Sequence, residues 1–114
     1  MTERMTTDVL VVGGSIAGLA TAITAKEQDP GLEVTIVEKY TSGYAGKANR
    51  GAGIMLMLGD HSPQEFAQFY LKHIGLYLNN QTTLLKYACM LNEGVEAIDR
   101  WSGRVDKDAS GKFR

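Results

Sequence analysis

The sequence predicts an α/β fold in which a β-α-β unit is followed by a helical segment, and three observations carry that expectation. An apolar run, Asp8-Val9-Leu10-Val11-Val12, leads directly into the glycine-rich turn Gly13-Gly14-Ser15-Ile16-Ala17-Gly18. After a stretch of small residues comes a second apolar run, Glu33-Val34-Thr35-Ile36-Val37-Glu38, ending in an acid twenty residues beyond Gly18. From Ser62 onward the apolar positions recur every three or four residues, the period of helices.

Each element has its own signal. Residues 8–13 form the expected first strand, and roughly 15–28 the first helix, with Ile16, Leu19, Ala20 and Ile23 on its apolar face. Pro30-Gly31 ends that helix and turns the chain. Residues 33–38 are the second strand, parallel and adjacent to the first through a right-handed crossover. Val34, Ile36 and Val37 suggest burial on both faces, hence a three-layer arrangement. Residues 39–60 include a stretch rich in Gly, Ala, Ser and Asn without any period, which reads as a loop.

Helices are expected across residues 62–103. Ser62-Pro63-Gln64-Glu65 is a Ser-x-x-Glu capping box with proline at the first helical position, and Phe66, Phe69, Tyr70 and Ile74 line one face. A second helix starts near Gln81 with Leu84, Leu85, Ala88 and Leu91 inward. Asn92 is placed to cap a third, which carries Val95, Ile98 and Trp101. Residues 104–114 are rich in turn residues and read as the start of a hairpin or of the next segment.

The first three elements are the layout of a Rossmann-type dinucleotide-binding βαβ unit over residues 8–38. Gly13 makes the tight turn off the strand, and Gly18 lets the helix lie close to the sheet. Near Ser15 the backbone must approach a pyrophosphate held at the helix N-terminus, where free N–H groups and the dipole favour anions. Glu38 can accept hydrogen bonds from ribose hydroxyls. The second glycine of G-x-G-x-x-G falls on Ser15, a small residue whose hydroxyl can donate to a phosphate oxygen. A structural βαβ unit that holds no nucleotide is the plain alternative.

Composition narrows the classes further. The 114 residues are enough for one small domain, and a net charge of −1 argues against a nucleic-acid face. Cys89 is the single cysteine, so no internal disulfide forms, as suits a reducing compartment. There is no secretory signal and no apolar stretch long enough to span a bilayer, so a cytoplasmic location is expected. A parallel sheet of this kind needs more than two strands, and the chain therefore reads as an incomplete domain, the N-terminal part of a longer protein. His61 and His73 lack partners at metal-ligand spacing, and no metal is expected. Cys89 reads as a small core residue, and Phe66, Phe69, Tyr70 and Tyr77 as a packing face.

Together with the glycine turn, Glu38-Lys39, Ala45-Gly46, Gly51-Ala52-Gly53, the capped Ser62-Pro63-Gln64-Glu65-Phe66 and Val95-x-x-Ile98-x-x-Trp101 resemble the FAD-binding flavoproteins of the fumarate reductase and succinate dehydrogenase family. The loop looks most like that of the adenylylsulfate reductase alpha subunit. The resemblance covers nearly all of residues 1–114, which would be the first part of an FAD-binding domain. It implies that Gly13, Gly14, Ser15, Ile16, Ala17 and Gly18 face the FAD pyrophosphate, that Glu38 holds the adenosine ribose, and that Lys39 sits beside the adenine end. It runs Ala45, Gly46, Lys47, Asn49, Gly51 and Gly53 along the flavin side, where small residues leave room for a planar ring.

Covalent members of that family carry a flavin-linking histidine in this loop, and residues 40–53 contain none, so the resemblance implies non-covalent FAD. It also implies an iron-sulfur electron-transfer subunit as a candidate partner. The family's proton-donating arginine and substrate-binding histidines lie further along than residue 114, so no catalytic residue or substrate is assigned. Three functions compete. The first is the FAD-binding start of a flavin oxidoreductase. The second is an FAD-dependent aromatic monooxygenase, which Gly-Gly-Ser-Ile-Ala-Gly also suits. The third is a dinucleotide-binding fragment without activity of its own, and residues 1–114 alone are expected to hold FAD weakly or not at all.

Overall fold

A computed structural model describes residues 4–51, 53, 55–102 and 104–114. Ala52 of the second glycine-rich turn and Gly103 at the end of the expected helical segment lie outside the described residues. Two compact units divide the chain, Met1–Ile54 and Met55–Arg114.

In the first unit, β1 (Val9–Val12) and β2 (Val34–Val37) pair in parallel, in register from Val9 opposite Val34 to Val12 opposite Val37. Valine, isoleucine and threonine dominate both strands, and their branched side chains suit a pleated surface. Asp8 clamps the start of the pair: its N–H donates to the Glu33 carbonyl, and its carboxylate accepts the Glu33 N–H at 2.8 Å. A parallel pair needs a crossover, and α1 (Ile16–Gln28) supplies it. The expected adjacent parallel strands joined by a helix are present, each one residue shorter at either end than 8–13 and 33–38.

Asp29 and Lys26 build the turn after α1. The Asp29 N–H reaches the Ala25 carbonyl, and its carboxylate accepts the Gly31 N–H at 2.9 Å. Lys26 donates to the carbonyls of Pro30 and Leu32, as a cation in the last turn of a helix should.

Two expectations about this unit are corrected. α1 meets the strands through Gly18 and the buried Ala22, while Ile16 and Ile23 are exposed. The contact at Gly18 fixes the helix rotation, and small residues four apart fill the narrow gap that results. Nor is β2 buried on both faces: Val37 is exposed, as are Leu10 and Val12 of β1, and only Val11 is fully covered. Side chains alternate across a strand, so a single helix shields one face of this pair.

The second unit is helical. α2 (Pro63–His73) begins with the complete capping box: Ser62 Oγ accepts the Glu65 N–H, and Glu65 accepts the Ser62 N–H at 2.8 Å. Its half-buried residues include Phe66, Ala67, Tyr70 and Leu71. The Phe66 ring lies 5.9 Å from Tyr70 and 6.5 Å from Tyr87. Phe69, Ile74 and Tyr77 are exposed, so the expected aromatic packing face is reduced to Phe66 and Tyr70. Leu76 and Tyr77 take positive φ values of 46° and 64° where the chain leaves α2.

One continuous helix, α3 (Gln81–Ser102), replaces the two that the sequence suggested. The Asn80 side chain accepts the Thr83 N–H at 2.9 Å at its start. Leu84, Ala88, Leu91 and Val95 form the buried stripe, and their spacing of four, three and four runs straight through Asn92. Asn92 caps nothing. Its Oδ1 accepts the N–H of the buried Leu58 at 3.1 Å, so an apparent helix start is a tertiary hydrogen bond. Leu85 and Cys89 lie off the stripe and are exposed, which corrects the core role expected of both.

Beyond α3, Lys107 and Phe113 form an antiparallel bridge around a turn in which Asp108 Oδ1 accepts the N–H groups of Ser110 and Lys112. Lys107 is also paired with Asp99 of α3 at 2.6 Å. Among the described residues no helix is long and apolar enough to cross a membrane.

Replacing Asn92 with leucine keeps the branched heavy-atom outline, at a larger volume, but strands the Leu58 N–H. Chemical denaturation should show a loss of about 1–3 kcal/mol, the usual penalty for an unsatisfied buried donor. Unchanged stability would mean that the bond contributes nothing.

Candidate functional site

The first unit converges on Gly14. β1 ends with the Gly13 N–H donating to the Val37 carbonyl at 2.8 Å, which keeps the turn in step with β2. Gly13 then adopts φ +107°, a conformation open to glycine, and the space where a side chain would stand is empty. At Gly14 the N–H donates to Glu38 Oε2 at 2.6 Å, and the carbonyl accepts the Gly43 N–H at 2.8 Å. A Cβ on Gly14 would stand 2.5 Å from Ser42 Oγ and 3.0 Å from Ser42 Cα. Both polar backbone atoms and the Cα face of one residue are thus engaged.

Ser15 is the N-cap of α1, yet its hydroxyl makes no cap hydrogen bond. The first turn of α1 carries no acid, so the positive end of its dipole has no acidic partner within the helix. Gly18 serves packing: a Cβ there would overlap the Gly13 carbonyl oxygen and lie 3.3 Å from Val11 Cγ1.

Glu38 is half-buried at the end of β2. Oε2 takes the Gly14 N–H and Oε1 the Tyr40 N–H at 3.1 Å. The Gly14 hydrogen bond, then that of Tyr40, hold its carboxyl below the usual carboxylate range, with smaller help from Lys39 and against a contrary effect of burial. A carboxylate has about four acceptor positions, so it keeps capacity for a further donor beside these backbone N–H groups.

The loop after β2 returns to the same turn. Gly46, at φ +78°, lies against Ser15, where its Cβ would be 3.0 Å from Ser15 Cβ. A short 3₁₀ turn, Ala48–Arg50, follows, and Asn49 Nδ2 ties it to the Tyr44 carbonyl at 2.6 Å. Lys39 lies 5.5 Å from the Tyr40 ring centre.

The structure therefore gathers Gly13, Gly14, Ser15, Glu38 and Gly46 of the sequence-derived set. Ile16 and Ala17 stand exposed at the start of α1, Ala45 is half-buried, and Lys47 and Asn49 are exposed on the loop. Gly51 sits 3.4 Å from the Ala48 carbonyl by its would-be Cβ, and Gly53 at φ +70° meets nothing within 4 Å. Ser42, Gly43 and the Tyr40 N–H join the site without having been expected in it. His73 stacks beside Phe69 at 4.8 Å, and no group of three or more His, Cys, Asp or Glu gathers among the described residues to hold a metal.

Gly18→Ala forces a methyl onto a backbone oxygen that cannot step aside. Its expected cost is about 1–3 kcal/mol by denaturant titration, as for other overpacked sites. Glu38 sets a pH dependence. Its folded-state carboxyl lies below its ordinary value of 4.5, so the stabilisation is complete above that pH and is lost as pH falls through the lower folded value. Glu38→Gln keeps an acceptor for Gly14 but not the charge, and melting curves between pH 6 and 3 (roughly the carboxylate titration range) should fall less steeply than in the unsubstituted protein. Parallel curves would show that Glu38 carries no such linkage.

Residues 8–110 match the DAO family, described as FAD dependent oxidoreductase. The chain is also similar to the 8-methylmenaquinol:fumarate reductase flavoprotein subunit of Wolinella succinogenes, with 28% identity over 107 residues. That match covers 92% of this chain and 18% of the subunit, so the chain spans under a fifth of that curated relative. With the match running from the start of β1 almost to the last residue, this chain belongs to the FAD dependent oxidoreductase family.

Proposed function

We propose that this chain is the FAD-binding portion of a flavin-dependent oxidoreductase of the fumarate reductase kind. The observation that carries the proposal is the Gly14 junction. It sets a glycine turn open at Gly13, a helix whose first turn has no acid, and a carboxylate with acceptor capacity left around one point. That donor and acceptor set fits an adenosine diphosphate moiety, with the pyrophosphate at the start of α1 and the ribose diol on Glu38.

Bound flavin supplies hydride or electron transfer. The residues of the chain bind and orient. Ser15, Ile16 and Ala17 present backbone and hydroxyl donors, Gly13 and Gly14 shape the turn beside them with their own N–H groups taken by Val37 and Glu38, and Gly18 keeps α1 close enough to aim the donors. Glu38 fixes the ribose, Lys39 stands at the adenine end, and Ala45, Gly46, Lys47, Asn49, Gly51 and Gly53 flank the flavin. No histidine occurs from residue 40 to 53, which supports non-covalent attachment. The similarity to the flavoprotein subunit of a fumarate reductase supports a protein that works beside other subunits, and the partner proposed is an iron-sulfur electron-transfer subunit, as the adenylylsulfate reductase-like reading of the loop implies. That similarity also favours this reading over an aromatic monooxygenase.

Ligand titration of the polypeptide as it is naturally produced tests the proposal. FAD should bind more tightly than NADP, because Glu38 repels a 2′-phosphate and accepts from a free diol. Glu38→Ala should weaken FAD by about tenfold as a charge-assisted bond is lost. Tighter binding of NADP than FAD would overturn the assignment, and an unaltered FAD affinity in the variant would place the ribose elsewhere.

A further inference from the structure

The loop after Glu38 carries a charge pattern that the FAD reading uses only in part, with Lys39 at the adenine end, Lys47 on the flavin side and no role for Arg50. From residue 39 to 59 there are three cations, Lys39, Lys47 and Arg50, and no aspartate or glutamate, in a chain whose net charge is −1. Lys39 is engaged with the Tyr40 ring. Lys47 and Arg50 are exposed, and among the described residues neither forms an ion pair.

Their placement is not that of stray loop charges. Lys47 has helical backbone angles, φ −87° and ψ −26°, and the Arg50 N–H donates to the Lys47 carbonyl at 3.0 Å. Residues three apart eclipse in a 3₁₀ turn, so both side chains leave from one side. The Asn49 bond to Tyr44 holds that turn in place. Gly46, directly before Lys47, rests against Ser15 at the N-terminus of α1. Consecutive Cα atoms are about 3.8 Å apart, so the Lys47 stem starts one step from that contact.

Resting on the assignment of FAD to this chain, we infer that Lys47, whose neighbour Gly46 lies against Ser15, stands not beside the flavin but with Arg50 in a cationic clamp on the FAD pyrophosphate, opposite the N–H groups of α1. The helix N-terminus and a glycine turn offer only partial charges to a dianion. Two full charges on the facing loop complete the neutralisation, Lys47 as a point charge and Arg50 as a planar fork suited to paired phosphate oxygens. The absence of acids between residues 39 and 59 removes the competitors that would otherwise engage them.

The test compares FAD with ADP-ribose, which has the pyrophosphate and adenosine but no flavin ring, in the polypeptide as naturally produced. In the double variant Lys47→Ala and Arg50→Ala, affinity for both ligands should fall by about tenfold or more. Affinity should also respond less steeply to added salt. The exchange Lys47→Arg with Arg50→Lys should restore most of the binding, and all forms should melt alike, since both side chains are exposed. Undiminished affinity for both ligands overturns the clamp. A loss confined to FAD also overturns it, by placing the cations at the ring. Failure of the unsubstituted protein to bind either ligand overturns the FAD reading itself and the clamp with it.

Discussion

The hydrogen bond from the Gly14 N–H to Glu38, 24 residues away in sequence, is the constraint on which the first unit depends. It joins the end of β2 to the turn after β1 and leaves the Gly14 carbonyl aimed at the incoming loop, where the Gly43 N–H takes it up. With Gly14 fixed, the Gly13 carbonyl points at Gly18, and that contact sets the rotation of α1 about its own axis. The buried Ala22 and the exposed Ile16 and Ile23 follow from that rotation. The reverse dependence does not hold. An apolar stripe alone would have turned α1 to bury its isoleucines, because burial of larger side chains gains more free energy. Close backbone approach overrides that gain here.

The second unit uses the same device in a different setting. Asn92 reaches 34 residues back along the chain to hold the Leu58 N–H, as Glu38 holds Gly14. In both cases a side-chain oxygen satisfies a backbone donor that no regular ladder reaches. Such bonds suit a chain with few fully buried residues, where side-chain packing alone leaves segment positions loosely determined.

Local rules made much of this legible in the sequence. The capping box at Ser62, the parallel strands and the helix between them follow from neighbours a few residues apart, and all are present. The errors occur where a distant partner decides. Asn92 looks like a helix start because asparagine is a good N-cap, but the stripe through Leu91 and Val95 needs an unbroken helix, and the Leu58 N–H satisfies the amide. Phe69, Ile74 and Cys89 are apolar residues near a packing stripe, and small differences in helix phase put them on the solvent side. At the candidate site, the glycine turn and its acid were readable because their spacing is imposed by β-α-β geometry. Ser42 and Gly43 were not, because a loop without period gives no register from which to assign contacts.

The structural bonds of Glu38 also bear on its proposed role with ribose. An acid that only awaited a diol would be free to rotate and would take up a proton in the ordinary range. Here two backbone N–H groups fix its plane and hold it ionised to lower pH. An ionised carboxylate accepts hydrogen bonds and cannot donate one. The acceptor capacity that remains therefore suits the hydroxyls of a ribose, with the carboxylate oriented before the ligand arrives. Preorganisation of this kind lowers the entropic cost of binding. The bond that shapes the fold and the proposed contact with the cofactor are then compatible demands on one side chain, because each uses a different part of its acceptor capacity.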